Sequence, residues 1–396
     1  MSGLRAGARP VARPPIAILG VRIDNVTIAE AIERIERMAV SGRPHYFVTA
    51  NVDFLVQARE DPELHRILLE ADLALCDGAP IVWASRILGN PLPERVAGSD
   101  LVPLLLELAR QKGLRVFFLG ASPEAAAAAI VNVGRRHPGL LVAGHSPPFG
   151  AFQAADDDAI ERRLAEARPD LLFVAFGCPK QEKWIAAHYR ALGVPVSGGV
   201  GATIDFLSGR RRAPMWMRRA GLEWAFRLLA EPRRLFGRYW KDFRVFGIEL
   251  SRQYRLLRPR RLDDAAEPSA IVDETEEWRC LRLPRRLDRG VVESDPLLAL
   301  EYLADGRHCL LDASATNIID STGIGFLLAL NKRIRNTGRE LVLLAPSREL
   351  RRALEAMRLA EFFPVAADLT TALQMLERRV PVAAKPKEIA RAGGRT

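Results

Sequence analysis

The sequence predicts an α/β protein in two parts: an open, mostly parallel sheet domain carrying a basic helical appendage, followed by a smaller α/β domain. Three observations predict it. From Pro15 to about Phe206, short apolar runs alternate with amphipathic stretches of helical period. Between Gly209 and Arg261 the composition turns abruptly basic, with 16 Arg or Lys against 4 Asp or Glu. After an acidic stretch without periodicity, a second strand–helix alternation begins at Trp278. The chain therefore divides into an α/β core over 1–206, an appendage over 207–262, a linker over 263–277, a second domain over 278–380 and a disordered tail over 381–396.

Taken in order, IAILGVRI reads as a strand and IAEAIERIERMAV as the helix that follows it. YFVTANVDFLV is an apolar run before the helix ELHRILLEA; LALCDG is a strand, LVPLLLELARQKG a helix and RVFFLGAS a strand. The alternation continues through EAAAAAIVNVGRRH, LLVAGHSPPFG, AIERRLAEAR, DLLFVAFGCPKQE and PVSGGVG. Strands joined by helices of this length pair in parallel, and such sheets bind ligands at their strands' carboxyl ends. In the appendage, Leu222, Phe226 and Leu229 make one apolar face and Phe236, Tyr239, Trp240, Phe243, Phe246 and Leu250 another, with arginines opposite. Glu231-Pro232 separates the two helices, because proline cannot continue the first. The second domain reads as strand WRCLRLP, helix SDPLLALEYLADG, strand HCLLDAS, helix GIGFLLALNKRIRNTG, strand ELVLLAP and helices RELRRALEAM and TTALQMLERRV.

At 48% hydrophobic and 27% charged, the 396 residues are too apolar for a disordered chain. The net charge of +10 favours an anionic partner, whether nucleic acid, lipid surface or phosphorylated substrate. Cys76, Cys178, Cys280 and Cys309 lie far apart, so neither a zinc knot nor a disulfide framework is expected, and a reducing cytoplasm fits. The apolar run near the N-terminus is too short for a signal peptide or a spanning helix. The six histidines show no ligand spacing, and neither a metal nor a cofactor is expected.

Candidate chemistry collects where strands end. In LCDGAPIV an apolar strand delivers Asp77 to a glycine turn, where it can serve as a general base or cap the helix starting near Pro80. In VTANVD, Thr49 and Asn51 share a face at another strand end, suited to a sugar or phosphate, although such residues also satisfy backbone groups. FFLGAS can present backbone N–H groups to a phosphate or form a tight turn. FGCPKQEKW places Gln181 at a crevice edge, and Asp205 in GGVGATIDFLSG can accept hydrogen bonds from a base or ribose. Cys178 has no histidine paired with it and is not taken as a nucleophile.

Together VTANVDF, LCDGAPIVW, ERVAGSDL, FFLGAS, FVAFGCPKQEKW and GVGATIDFLSGRRRAPMWMRRAGLEWAFRLLAEPRRLFGRYW resemble the WecG/TagA/CpsF family, glycosyltransferase family 26, from about Ile16 to about Leu250. The resemblance implies inverting, metal-independent transfer of an N-acetylmannosamine-type sugar, its uronic acid or glucose from a UDP donor to a polyprenyl-diphosphate-linked acceptor sugar. It implies Asp77 as the base, Thr49 and Asn51 beside the sugar, and Arg95 and Gln181 in the cleft, with Arg95 suited to a diphosphate. Ala50 stands where the family commonly has proline. The appendage is implied to meet the inner face of the plasma membrane and to complete the site, with Arg210, Arg211, Arg212, Arg218 and Arg219 as candidates for the departing UDP.

In the second domain, DASATNIIDSTG resembles the STAS domain of anti-sigma-factor antagonists. The resemblance puts Thr322 where that family carries its phosphorylated serine, implying a kinase or protein partner; equally, Asp320 or Ser321 can simply cap a helix in a docking module. Two other readings stay open: a sugar-nucleotide-binding scaffold without turnover, and nucleic-acid binding by the basic segment. The retained Asp77 opposes the first, and the absence of any recognised DNA or RNA module opposes the second. A homo-oligomer is allowed.

Overall fold

The computed structural model describes residues 13–147, 154–257 and 268–379. IAILGVRI is a hairpin rather than one strand: β1 (Ile16–Ile18) and β2 (Val21–Ile23) pair antiparallel. Leu19 and Gly20 turn between them at φ of 51° and 83°, the left-handed region that favours glycine. The central sheet comprises β3 (His45–Ala50), β4 (Leu73–Cys76), β5 (Val116–Gly120), β6 (Val142–His145), β7 (Leu171–Ala175) and β8 (Val196–Gly199). All pairings are parallel, in the order β4-β3-β8-β7-β5-β6. The near-continuous apolar character of β3, β4, β5 and β7 follows from their burial under helices on both faces. Gly198 is required: a Cβ there would lie 2.1 Å from the Phe47 ring.

The expected apolar run YFVTANVDFLV stops short of its end. Asn51 caps a helix, Val52–Ala58, by accepting from the Phe54 N–H at 3.2 Å, and this local bond overrides the β-forming composition of Val52-Asp53-Phe54. The first helix, Ile28–Ala39, starts with a full capping box between Thr27 and Glu30. The appendage forms Met215–Arg219, Glu223–Ala230 and the long helix Pro232–Leu257, broken at Glu231-Pro232 as the sequence predicts.

In the second domain the sheet order is β15-β14-β12-β10-β9, from β9 (Ala270–Glu274), β10 (Trp278–Arg282), β12 (His308–Asp312), β14 (Leu341–Leu344) and β15 (Val365–Ala366). Two short strands, β11 (Arg286–Leu287) and β13 (Ile318–Ile319), pair separately. The expected linker 263–277 is corrected: its later part is β9, which pairs antiparallel with β10. SDPLLALEYLADG is also corrected. Asp295 caps a 3₁₀ turn, Pro296–Leu298, and extended Ala299 separates it from the short helix Leu300–Leu303. Helix Ser321–Asn336 carries the main apolar face, and Ala17, Leu69 and Leu257 of the first domain share its core with Ile324, Phe326 and Leu327. The expected tail 381–396 lies outside the described residues. Among the described residues, no helix is long and apolar enough to cross a membrane.

Candidate active site

The sheet's connections run to opposite sides of β3, so a crevice opens at the carboxyl ends of β4, β3 and β8. Parallel register sets Ala50 opposite Cys76, which brings Asn51 and Asp77 out side by side; the Asp77 N–H donates to Ala50 O at 2.8 Å. A Cβ on Gly78 would stand 3.9 Å from Asn51 Cβ. Helix Ala79–Ile87 begins at Gly78 with no side-chain cap, so the Asp77 carboxylate is not spent on capping. Thr49, buried beside it, donates from Oγ1 to Gly199 O at 3.1 Å and joins β3 to β8 across the crevice floor. FFLGAS is a capped turn: the Ser122 hydroxyl accepts from the Ala125 N–H.

Gln181 is nearly fully buried and its amide is committed. Oε1 accepts from Gly177 N at 3.1 Å and Gly201 N at 3.2 Å, while Nε2 donates to Glu182 Oε1 at 2.7 Å. It therefore braces the loops after β7 and β8. Glu182, the next residue of the same helix start, is buried with Oε2 unpartnered, and burial pushes its carboxyl up to about 7 against the Gln181 hydrogen bond.

Above Asp77 lies a network of arginines and carboxylates. The loop bearing Arg95 is tied to β4 by the Val96 N–H donating to Cys76 O at 2.8 Å. Arg95 pairs with Asp100 and, at 3.0 Å, with Glu223. Arg212 donates to Ser99 Oγ at 2.7 Å and Asp100 Oδ1 at 3.0 Å, and Arg218 reaches Asp100 Oδ1 at 3.3 Å. Arg227 bonds Glu223 Oε1 at 3.3 Å and lies over the Phe206 ring. Burial pushes Asp77 up to about 6, against the pull of Arg95 and Arg227. Glu223, which burial alone would raise, is held below the usual carboxylate range by Arg212, Arg227 and Arg95.

Thr49, Asn51, Asp77, Arg95, Gln181, Arg212 and Arg218 thus converge, but Arg212 and Arg218 are occupied by carboxylates and shape the site rather than standing free. Arg210 pairs with Glu231, Arg211 is exposed, Asp205 is half-buried in the short helix Thr203–Leu207, and the side chain of Arg219 lies outside the described residues. The Glu223-x-x-x-Arg227 spacing was the available signal for two residues that sequence reasoning missed. Thr322, the candidate phosphorylation residue, is buried together with Ser321, so in this arrangement neither hydroxyl faces solvent. Among the described residues, no three His, Cys, Asp or Glu side chains converge as metal ligands.

A family model described as glycosyl transferase WecG/TagA/CpsF family matches residues 16–261, and a STAS domain model matches 269–372. An N-acetylglucosaminyldiphosphoundecaprenol N-acetyl-beta-D-mannosaminyltransferase of Bacillus spizizenii is 38% identical over 190 residues, covering 48% of this chain and 72% of its own length. A Staphylococcus aureus protein of the same name is 30% identical over 246 residues, covering 61% of this chain and 94% of its own. A solved anti-sigma-factor antagonist (STAS) domain protein from Planctomyces limnophilus aligns with 28% of this chain and 99% of its own at 20% identity and a TM-score of 0.26. With the crevice and its six sequence blocks in place, the chain belongs to the WecG/TagA/CpsF glycosyltransferase family and carries a C-terminal STAS domain.

Proposed function

We propose that this chain transfers a sugar of the N-acetylmannosamine type, its uronic acid or glucose from a UDP donor to a polyprenyl-diphosphate-linked acceptor sugar, with inversion, at the inner face of the plasma membrane. The observation that carries the reading is Asp77: an uncapped carboxylate at a strand end, raised to about 6 by burial and flanked by Arg95 and Arg227. A base of that pKa is ionised at neutral pH yet retains proton affinity, as removal of a proton from an acceptor hydroxyl requires.

Inverting transfer is an in-line displacement. Asp77 takes the hydroxyl proton as the acceptor oxygen attacks the anomeric carbon, and the bond from that carbon to the UDP oxygen breaks on the opposite face. The Arg95–Asp100–Glu223–Arg212–Arg227 network supplies positive charge near the departing diphosphate, with the two carboxylates fixing the guanidinium positions in advance. The reading needs no metal for that step. The membrane role rests on exposed Trp216, Phe236 and Trp240, each more than 60% accessible, beside exposed Arg211, Arg233, Arg234 and Arg238. The name of these relatives, that of a transferase acting on an undecaprenol-linked diphosphate sugar, supports the acceptor class.

The test is a donor screen with purified full-length protein, a panel of UDP-sugars and a short-chain lipid-diphosphate N-acetylglucosamine or glucose acceptor, read by mass spectrometry. A mass increase of one sugar with loss of UDP is expected for one donor; no product with any UDP-sugar overturns the reading.

A further inference from the structure

The second domain is seated on the first through the helix start that its family uses as a signature. Asp320 caps helix Ser321–Asn336, accepting from the Thr322 and Gly323 N–H groups, both at 2.8 Å. Ser321 and Thr322, 1% and 0% accessible, face inward rather than to solvent. The first domain meets Ser321. Gln253 of the long helix Pro232–Leu257 donates from Nε2 to Ser321 Oγ at 2.9 Å and to Ala17 O at 2.8 Å, while its Oε1 accepts from the Leu19 N–H at 2.8 Å. One buried amide therefore joins the β1–β2 hairpin, the long helix and the second domain. Lys332, about three turns further along the same helix, reaches Asp72 Oδ1 at 3.3 Å. Gly325 marks how closely the backbones approach: a Cβ there would lie 2.5 Å from Pro15 O and 2.9 Å from Pro15 C.

Two helices run from this junction to the crevice. The long helix, 26 residues and about 39 Å at 1.5 Å per residue, is gripped at Gln253 and Leu257 by the second domain. Nearer its start, Phe243 packs edge-on against Trp224 of the helix that carries Arg227 and Glu223. Helix Val52–Ala58 is the second: Asn51, beside Asp77, caps its start, and Arg59 at its end donates to Ala356 O of the second domain at 3.2 Å and pairs with Glu249 of the long helix at 2.7 Å.

We propose that the face of helix Ser321–Asn336 bearing Ser321 and Gly325 is an intramolecular docking surface whose partner is this chain's own catalytic domain, and that its seating on Gln253 and Pro15 holds the two helices that order the transfer site. Any other partner of that face must displace the catalytic domain. A negative charge placed on Ser321 is incompatible with the seated state, because the residue is 1% accessible and the group that meets its hydroxyl is the uncharged Gln253 amide. Seating and crevice order then form one equilibrium, and whatever binds the second domain's helix start lowers transfer. The activity limb rests on the proposed glycosyl transfer; the seating limb does not.

The variant that isolates seating is Gly325→Ala in the full-length chain. Alanine favours the helix by about 1 kcal/mol over glycine, so the second domain alone is not weakened, while the added methyl collides with the Pro15 backbone. Hydrogen exchange is read at residues 16–23 and 249–257, with strands β5, β7, β12 and β14 as internal reports that both cores remain folded. At least tenfold faster exchange at the two interface segments with the cores unchanged is expected, together with a several-fold fall in kcat/KM for transfer. Unchanged exchange at 16–23 and 249–257 overturns the seating, and faster exchange there with undiminished transfer overturns the coupling. Ser321→Glu is the second variant, approaching the same bond through charge; it is expected to give the same exchange pattern, and protection equal to the parent counts against the proposal.

Discussion

Asp77→Asn tests the physical state of the proposed base independently of any substrate. Burial raises the Asp77 carboxyl from 3.8 to about 6. A shift of about two units corresponds to about 3 kcal/mol of disfavoured ionisation in the folded chain, at 1.36 kcal/mol per unit. The sign follows from linkage. Above pH 6 the folded chain holds a carboxylate against its surroundings, whereas the unfolded chain ionises freely above 3.8. The folded state therefore bears the full cost at pH 8, loses it progressively as pH falls through 6, and bears none once both states are protonated. Asparagine has no charge to desolvate, so Asp77→Asn is expected to raise unfolding stability by up to about 3 kcal/mol at pH 8, with the gain shrinking toward zero near pH 4. Urea unfolding, followed by tryptophan fluorescence at several pH values, measures the difference. A loss of stability at pH 8, or a gain that does not change with pH, refutes the assignment of Asp77 as a carboxylate held ionised against its burial.

In the same crevice, Arg227→Ala is expected to lower kcat about a hundredfold or more, the scale of losing one preorganised charge donor to a transition state, with a smaller effect on donor KM; an equal rise in KM alone would place Arg227 in ground-state binding instead. Arg212→Ala, which strips donors from Ser99, Asp100 and Glu223, is expected to destabilise the fold by about 2–4 kcal/mol in a denaturant melt, because buried Glu223 loses one of its cations. Trp216→Ala with Trp240→Ala is expected to weaken flotation with anionic liposomes at least tenfold, with full activity retained on a short-chain soluble acceptor; unchanged flotation would remove the aromatic contribution to membrane binding. Cys178 is a thiol that burial and the nearby Glu182 push well above its usual range, so Cys178→Ser is expected to keep transfer within a few-fold in a steady-state assay.

The parallel sheet was legible because β3, β4, β5 and β7 are buried on both faces and read as short continuous apolar runs between amphipathic helices. The exceptions have local causes. The hairpin at Leu19-Gly20 is hidden in a continuous apolar run, and helix Val52–Ala58 is set by a single Asn51 side-chain bond rather than by composition. Strand β9 is exposed along its length and acidic, so nothing in its pattern distinguishes it from a linker; only its pairing to β10 does. In the crevice, Thr49, Asn51 and Asp77 were readable because strand ends announce themselves. The roles of Arg212 and Arg218 were not, since a run of arginines does not say which of them meets Asp100, more than a hundred positions away, or Glu223, eleven positions from Arg212 across a separate short helix. The closure of Ser321 was invisible for the same reason: its hydrogen-bond partner, Gln253, is 68 residues away.

The most direct test of the central claim pairs transfer with binding in Asp77→Asn: product formation by mass spectrometry from a UDP-sugar and a lipid-diphosphate acceptor, and donor affinity by calorimetry, both beside the parent chain across pH. The account predicts parent kcat/KM falling tenfold per pH unit below about 6, where Asp77 protonates, and Asp77→Asn binding donor at near-parent affinity with no detectable transfer. Transfer by Asp77→Asn within tenfold of the parent at pH 8 would contradict it.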